Sequence, residues 1–120
     1  MPARNPEDVG RLIVEAINNG DVEAAIAMYE PEAAAPDRQG EVSSGTTDTL
    51  RQNTASFIAS KPDLKVEVDK VIRAGDIALL YSHWSMTNPE PMSGRTVAVA
   101  RRQPDGNWLF VVDDPVTLGG

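Results

Sequence analysis

The sequence predicts an α+β domain, with helices from its first half packed on one face of an antiparallel sheet built by its second half. Two observations carry that expectation. Apolar residues recur at helical spacing before Lys61-Pro62, and at a spacing of two from Leu64 onward. Gly, Pro, Asn and Asp then cut the second half into four strands that follow one another as a meander. A chain of 120 residues without repeats, low-complexity tracts or linkers suits one domain over 1–120.

The first helix is signposted at both ends. Asn5 suits the capping position, Pro6 the first helical position, and Glu7 and Asp8 the positive end of the dipole. Val9, Leu12, Ile13, Ala16 and Ile17 form its apolar stripe, and Gly20 offers a left-handed stop. Asp21 caps a second helix, with Val22, Ala25, Ile26 and Tyr29 as its stripe and Pro31 as its end. Two short strands are expected around Asp37-Arg38-Gln39-Gly40. A third helix starts near Thr47-Asp48, carries Leu50, Thr54, Phe57 and Ile58 on one side, and stops at Lys61-Pro62.

Leu64, Val66, Val68 and Ile72 open the first long strand, where the alternation loses its regularity near Lys70 and Val71. Ala74-Gly75-Asp76 turns the chain back. The return strand puts Ala78, Leu80, Ser82, Trp84 and Met86 on one face and Ile77, Leu79, Tyr81 and His83 on the other. After the loop NPEPMSG, Thr96 to Arg102 forms a strand. Gln103-Pro104-Asp105-Gly106 turns, and the last strand runs from Trp108 to Asp113 or Asp114. The face carrying Ile77, Leu79 and Tyr81, extended by Val97 and Val99, is too apolar to stay bare in a monomer, so we expect a homodimer through the sheet.

Composition narrows the chemistry. A net charge of −7 argues against nucleic acid and anionic membrane surfaces, both of which reward a basic patch. No stretch is apolar enough to span a bilayer, and the N-terminus lacks the apolar core of a secretory signal, so a cytoplasmic protein is expected. With no cysteine and one histidine, thiol nucleophiles, metal sites and a Ser-His relay have little to work with. Carboxylates and aromatic hydroxyls are left to supply any reaction, without metal or cofactor.

The helix pair across AINNGDVEAAIAMYEPEA, Gly40 and Gly45 before the third helix, the hairpin AGDIALLYSHWSMT and the ending SGRTVAVARRQPDGNWLFVVDDP together resemble the NTF2-like superfamily. The likeness is to its SnoaL-like, ketosteroid-isomerase-like small domains, and spans nearly the whole chain. It implies a curved sheet wrapped around the helices as a cone, with a pocket between them for a hydrophobic small molecule. The scaffold hosts isomerases, cyclases, dehydratases, epoxide hydrolases and non-catalytic binders, so fold alone does not give activity. Ile13, Ile17, Phe57, Ser82, Trp84 and Met86 are the expected ligand-binding residues; each would serve equally well in a core.

In ketosteroid isomerases one Asp acts as base while a Tyr and a protonated Asp hold the oxyanion. Here Asp114 shares strand parity with Trp108, Phe110 and Val112, and Asp113 with Leu109 and Val111, so one of the two acids should face the cavity. Asp114 is the first expectation, Asp113 the reserve, and Tyr29 the hydroxyl donor. Asp37 is better placed to serve its turn. Related chains often carry an acid near the position of Ala98, and the strand Thr96 to Ala100 has no ionisable residue, so a catalytic pair is incomplete on this pattern. The resemblance therefore implies a cofactor-independent isomerase, cyclase or dehydratase acting on a cyclic or polyketide-like compound. The alternatives are a non-catalytic ligand binder and a dimeric module with a vestigial pocket.

Overall fold

A computed structural model describes residues 3–36, 42–43 and 47–114. The chain runs α1 (Pro6–Asn18), α2 (Val22–Ile26), β1 (Tyr29–Pro36), β2 (Val42–Ser43), α3 (Thr47–Ala59), β3 (Lys65–Ala74), β4 (Ile77–Met86), β5 (Met92–Arg102) and β6 (Trp108–Asp114). The strands form one sheet in the order β2-β1-β6-β5-β4-β3. The three helices and the β3-to-β6 meander are those expected. The sheet as a whole is mixed, because β1 pairs with β6 in parallel. The remaining neighbours are antiparallel. The turn Asp37 to Gly40, Gly45 and Pro115 lie outside the described residues.

Local chemistry explains most element boundaries. Asn5 has the extended backbone of a cap, but its side chain donates to the Asp8 carboxylate rather than accepting a helix amide. Gly20 takes φ +75°, open space surrounds its α-carbon, and the chain reverses there into Asp21. Asp21 accepts from the Ala24 amide at 3.0 Å and caps α2. That helix is shorter than its apolar stripe suggests: it ends at Ile26, and Tyr29 opens β1 instead. The fifth strand begins at Met92, earlier than the Thr96 expected, because Met92, Ser93 and Gly94 pair in register with Met86, Ser85 and Trp84.

The core forms where α1 lies on the sheet. Val9 and Ile13 from the helix meet Ala78, Leu80, Ala98, Ala100, Trp108 and Phe110 from three strands. Small alanines on β4 and β5 let the helix come close, and the large side chains of β6 fill the remaining space. Trp108 is 1% exposed, and the Arg73 guanidinium stacks on its ring at 4.9 Å. Among the described residues two β-bulges interrupt the antiparallel ladders, and the parallel pairing of β1 with β6 also shifts register between Tyr29 and Ala34. One bulge lies between Val68 and Lys70, where the alternation weakens, and the other lies on β6 opposite Val99 and Ala100.

Two polar clamps tie the helices and loops to the sheet. Asn18 donates to the Leu64 carbonyl and accepts from its amide, closing α1 onto the entry to β3. Asp63 accepts from the amides of Thr87 and Asn88 and from the Thr87 hydroxyl. Led by the Thr87 hydroxyl, these donors hold the carboxyl at about 2, below the ordinary value of 3.8. The folded value is the lower one, so this stabilisation is complete above pH 3.8 and is lost as pH falls through about 2. We predict that Asp63→Asn lowers the urea midpoint at neutral pH. It should also remove part of the wild-type loss of stability between about pH 4 and pH 2, read by urea titration of both proteins across that range.

Candidate functional site

The β6 bulge decides which acid faces the helices. Val112 pairs with Val99 and Phe110 with Ala100, so β6 uses one residue more than β5 over this span. The extra residue shifts the parity of everything after it. Asp113 pairs with Ala98 and shares the helix-covered face with Phe110 and Trp108. Asp114 pairs with Val97 on the opposite face. Strict alternation favours Asp114; the bulge reverses that order and makes Asp113 the inward carboxylate.

Tyr29 reaches the same place from β1. It pairs with Phe110, its ring meets that of Phe110 edge-on at 5.9 Å, and its hydroxyl donates to Asp113 Oδ2 at 2.7 Å. The Phe110 amide donates to the Met28 carbonyl at 2.9 Å, which holds the start of β1 against β6. Tyr29 therefore acts from a strand and not from a helix end as the sequence stripe suggests. Alanine at position 98 leaves the space above β5 to the carboxyl of Asp113.

Both groups are shifted by their surroundings. Burial raises the Asp113 pKa, the Tyr29 and Thr96 hydroxyls pull it down by hydrogen bonding, and the charge of Asp114 pushes it up again; the net direction is upward. Tyr29 is pushed well above the usual phenol range, by burial first, then by the charge of Asp113 and by its hydrogen bond. A neutral phenol beside a carboxyl that binds its proton more tightly than usual is a pair suited to proton transfer.

Of the expected ligand contacts, Ile13 and Met86 are buried, Ile13 within the core cluster, so their surfaces serve the fold. Ile17 packs on the edge of that cluster. Ser82 lies on the same face and pairs with Thr96, the residue that bonds Asp113. Trp84 is half-buried across Gly94. Phe57 is half-buried on α3, which packs against α1 and α2. Thr96 joins this site unexpectedly; its signal in the sequence is its place two residues before Ala98 on one strand face. His83 lies on the outer face, its Nδ1 2.8 Å from Asp69 and its Nε2 3.3 Å from Glu67. Among the described residues no cluster of three or more His, Asp or Glu side chains is arranged to hold a metal ion, and no helix is long and apolar enough to cross a membrane.

The family model of the SnoaL-like domain matches residues 10–114. Solved structures share the fold. A ketosteroid isomerase-like protein from Erwinia carotovora atroseptica SCRI1043 superposes with a TM-score of 0.78 at 20% identity, over 91% of this chain and 90% of that one. An NTF-2 like protein from Shewanella oneidensis MR-1 gives 0.76 at 18% identity, over 89% and 92%. A candidate calcium/calmodulin-dependent protein kinase type II association domain from Thiobacillus denitrificans ATCC 25259 gives 0.76 at 17% identity, over 98% of both chains. No curated protein matches.

Two predictions test this geometry. Asp113→Asn should bring the Tyr29 phenol down toward its ordinary value, read by phenolate absorbance in a Tyr81→Phe background that removes the second tyrosine. Because the folded-state pKa of Asp113 is the higher one, its ionisation opposes folding as pH rises above 3.8; the same variant should be no less stable than wild type at neutral pH. Separately, a Cβ on Gly94 would come within 3.0 Å of Trp84 Cζ2. Gly94→Ala should therefore displace the indole by a few tenths of an ångström and shift the tryptophan emission, as checked by steady-state fluorescence of the folded variant.

Proposed function

This chain belongs to the SnoaL-like domain family, and from that membership we propose that it binds a hydrophobic, cyclic or polyketide-like small molecule and transforms it by cofactor-independent acid–base chemistry. One observation carries this reading: the 2.7 Å hydrogen bond from Tyr29 to an Asp113 carboxyl whose proton affinity burial has raised. Isomerisation, cyclisation and dehydration each need a proton taken from one position of the substrate and delivered to another. A carboxyl with a raised pKa accepts such a proton more readily than an ordinary one and can return it.

Roles follow from the donors and acceptors. The single proton of the Tyr29 hydroxyl is committed to Asp113 Oδ2, so Tyr29 positions the carboxyl, with Thr96 as a second donor. Asp113 is the group we assign to proton transfer. Ser82, Trp84 and Phe57 are the half-exposed or polar members of the expected contact set, and in this reading they hold the substrate's apolar body near the acid. Asp114 lies on the other face of the sheet and takes no part in the proton transfer.

A second reading has its own support. β5 presents Ala98, not a second acid, opposite Asp113. A single carboxyl suits a non-catalytic binding protein that uses the pair to orient a ligand. Binding of cyclic ketones and aromatics, followed by ligand-observed NMR, and product analysis on the same compounds separate the two. We predict that Asp113→Asn lowers turnover at least a hundredfold with little change in affinity, whereas Asp114→Asn keeps most of the activity. Binding without turnover in wild type supports the binder. Absence of binding across the panel overturns both readings.

A further inference from the structure

A groove of about 510 Å³ runs between the α1–α2 corner, the β5–β6 turn and the start of β6. It touches neither Tyr29 nor Asp113; Asp113 stands at the other end of the strand that gives Leu109 to its wall. Leu12, Met28 and Leu109 are its larger apolar members, and small Ala16, Ala24 and Ala27 leave the helical side open. The polar lining is lopsided. Glu15, Asp21 and Asp105 contribute three carboxylates, and among the described residues no basic side chain lines the groove.

The hydrogen-bonding capacity left in this lining is mostly acceptor. The Gln103 side chain donates to Glu30 at 2.7 Å and to the Arg101 carbonyl at 3.0 Å, which leaves its oxygen as an acceptor. Asn107 donates its side-chain amide to Asp105 at 3.1 Å, while its own Oδ1 is buried without a hydrogen-bond partner. Asp21 accepts from the Ala24 amide through Oδ1 and keeps Oδ2. The neighbouring cations stand outside the lining: Arg11 bonds Asp8 at 3.3 Å and is 3.9 Å from Glu15, and Arg4 lies beside Gly106 of the turn. A buried amide oxygen without a donor is unfavourable, and carboxylates lining one groove repel one another. One kind of ligand relieves both.

We propose that this groove binds an amphipathic organic cation, an ammonium or guanidinium carried on an apolar stem. Such a group brings several N–H donors and no acceptor, which is the complement of the lining. Its stem lies along Leu12, Met28 and Leu109 and gains from leaving water. The volume suits a molecule of metabolite size. A bare metal ion fits less well, because among the described residues no group of three or more His, Asp or Glu side chains is arranged to hold one. An anion on the same stem would meet three like charges. The site stands apart from the reaction assigned to Asp113 and does not depend on it.

The test is calorimetric titration of the full chain with phenethylamine, phenethyl alcohol and phenylacetate, which share a ring and differ in charge. Wild type should bind the amine with a Kd below about 1 mM and at least tenfold tighter than the alcohol, and should not bind the acid. The affinity for the amine should fall as salt rises. Equal affinity for amine and alcohol, or no binding of the amine, overturns the proposal. Ala24→Lys brings a resident ammonium to the groove from an exposed helix position. It should weaken the amine at least tenfold with unchanged far-ultraviolet circular dichroism. Glu15→Gln combined with Asp105→Asn removes two of the three charges, and should have the same effect if the lysine variant does not fold. An amine that binds both variants as tightly as wild type is held elsewhere, and that result overturns the proposal.

Discussion

Over the span where β5 passes from Val99 to Ala100, β6 passes from Val112 back to Phe110 and fits one additional residue. That β-bulge governs both surfaces of the sheet. Without it, strict alternation would send Asp113 outward with Leu109 and would place Val112 under the helices. With it, Val112 lies beside Val99 on the outer face, Asp113 joins Phe110 under the helices, and Asp114 is left on the outer face. A bulge locally gives up a ladder hydrogen bond and adds twist, and it persists where the packing on both sides favours the shifted register. Here the inner side gains the Tyr29 hydrogen bond and the outer side keeps an apolar residue beside Val99.

Placing a carboxyl on the helix-covered face works against stability, and the surroundings of Asp113 offset only part of that cost. Two hydroxyl donors favour its ionised form, yet burial and the neighbouring Asp114 leave the balance on the side of the proton. A fold selected for stability alone would do better with an apolar residue opposite Ala98. Local disadvantage of this kind is what acid–base sites require, because a carboxyl relaxed into its ordinary range is a weaker base. The Tyr29–Phe110 edge contact adds a packed wall that fixes the hydroxyl's direction without supplying a second charge.

Much of the architecture was legible because hydrophobic period and turn chemistry agreed. Pro6 and the stripe from Val9 to Ile17 specify α1, and Gly75 and Gly106 mark the turns of a meander whose strands follow as expected. The loss of regular alternation near Lys70 and Val71 coincides with the bulge between Val68 and Lys70. The candidate site was less legible. Tyr29 falls at helical spacing from Val22, Ala25 and Ile26, so periodicity assigns it to α2; its pairing with Phe110, far along the chain, overrides that local preference. Nothing in the run from Trp108 to Asp114 signals the second bulge, because Val111 and Val112 suit either face. The parallel pairing of β1 with β6 was equally hidden, since it joins segments about 80 residues apart and leaves no local pattern.

The adjacent aspartates at the end of β6 are therefore not equivalent, and their difference links the two faces. Successive strand residues point to opposite sides of a sheet, so two neighbouring acids cannot both enter the helix-covered face once the register is set. Asp113 takes the inward position, and Asp114 carries its charge on the outside while remaining close enough to raise the proton affinity of its neighbour. The charge of Asp114 on the outer face and the basicity of the inward carboxyl are thus coupled by Coulomb interaction alone, with no movement of the backbone required.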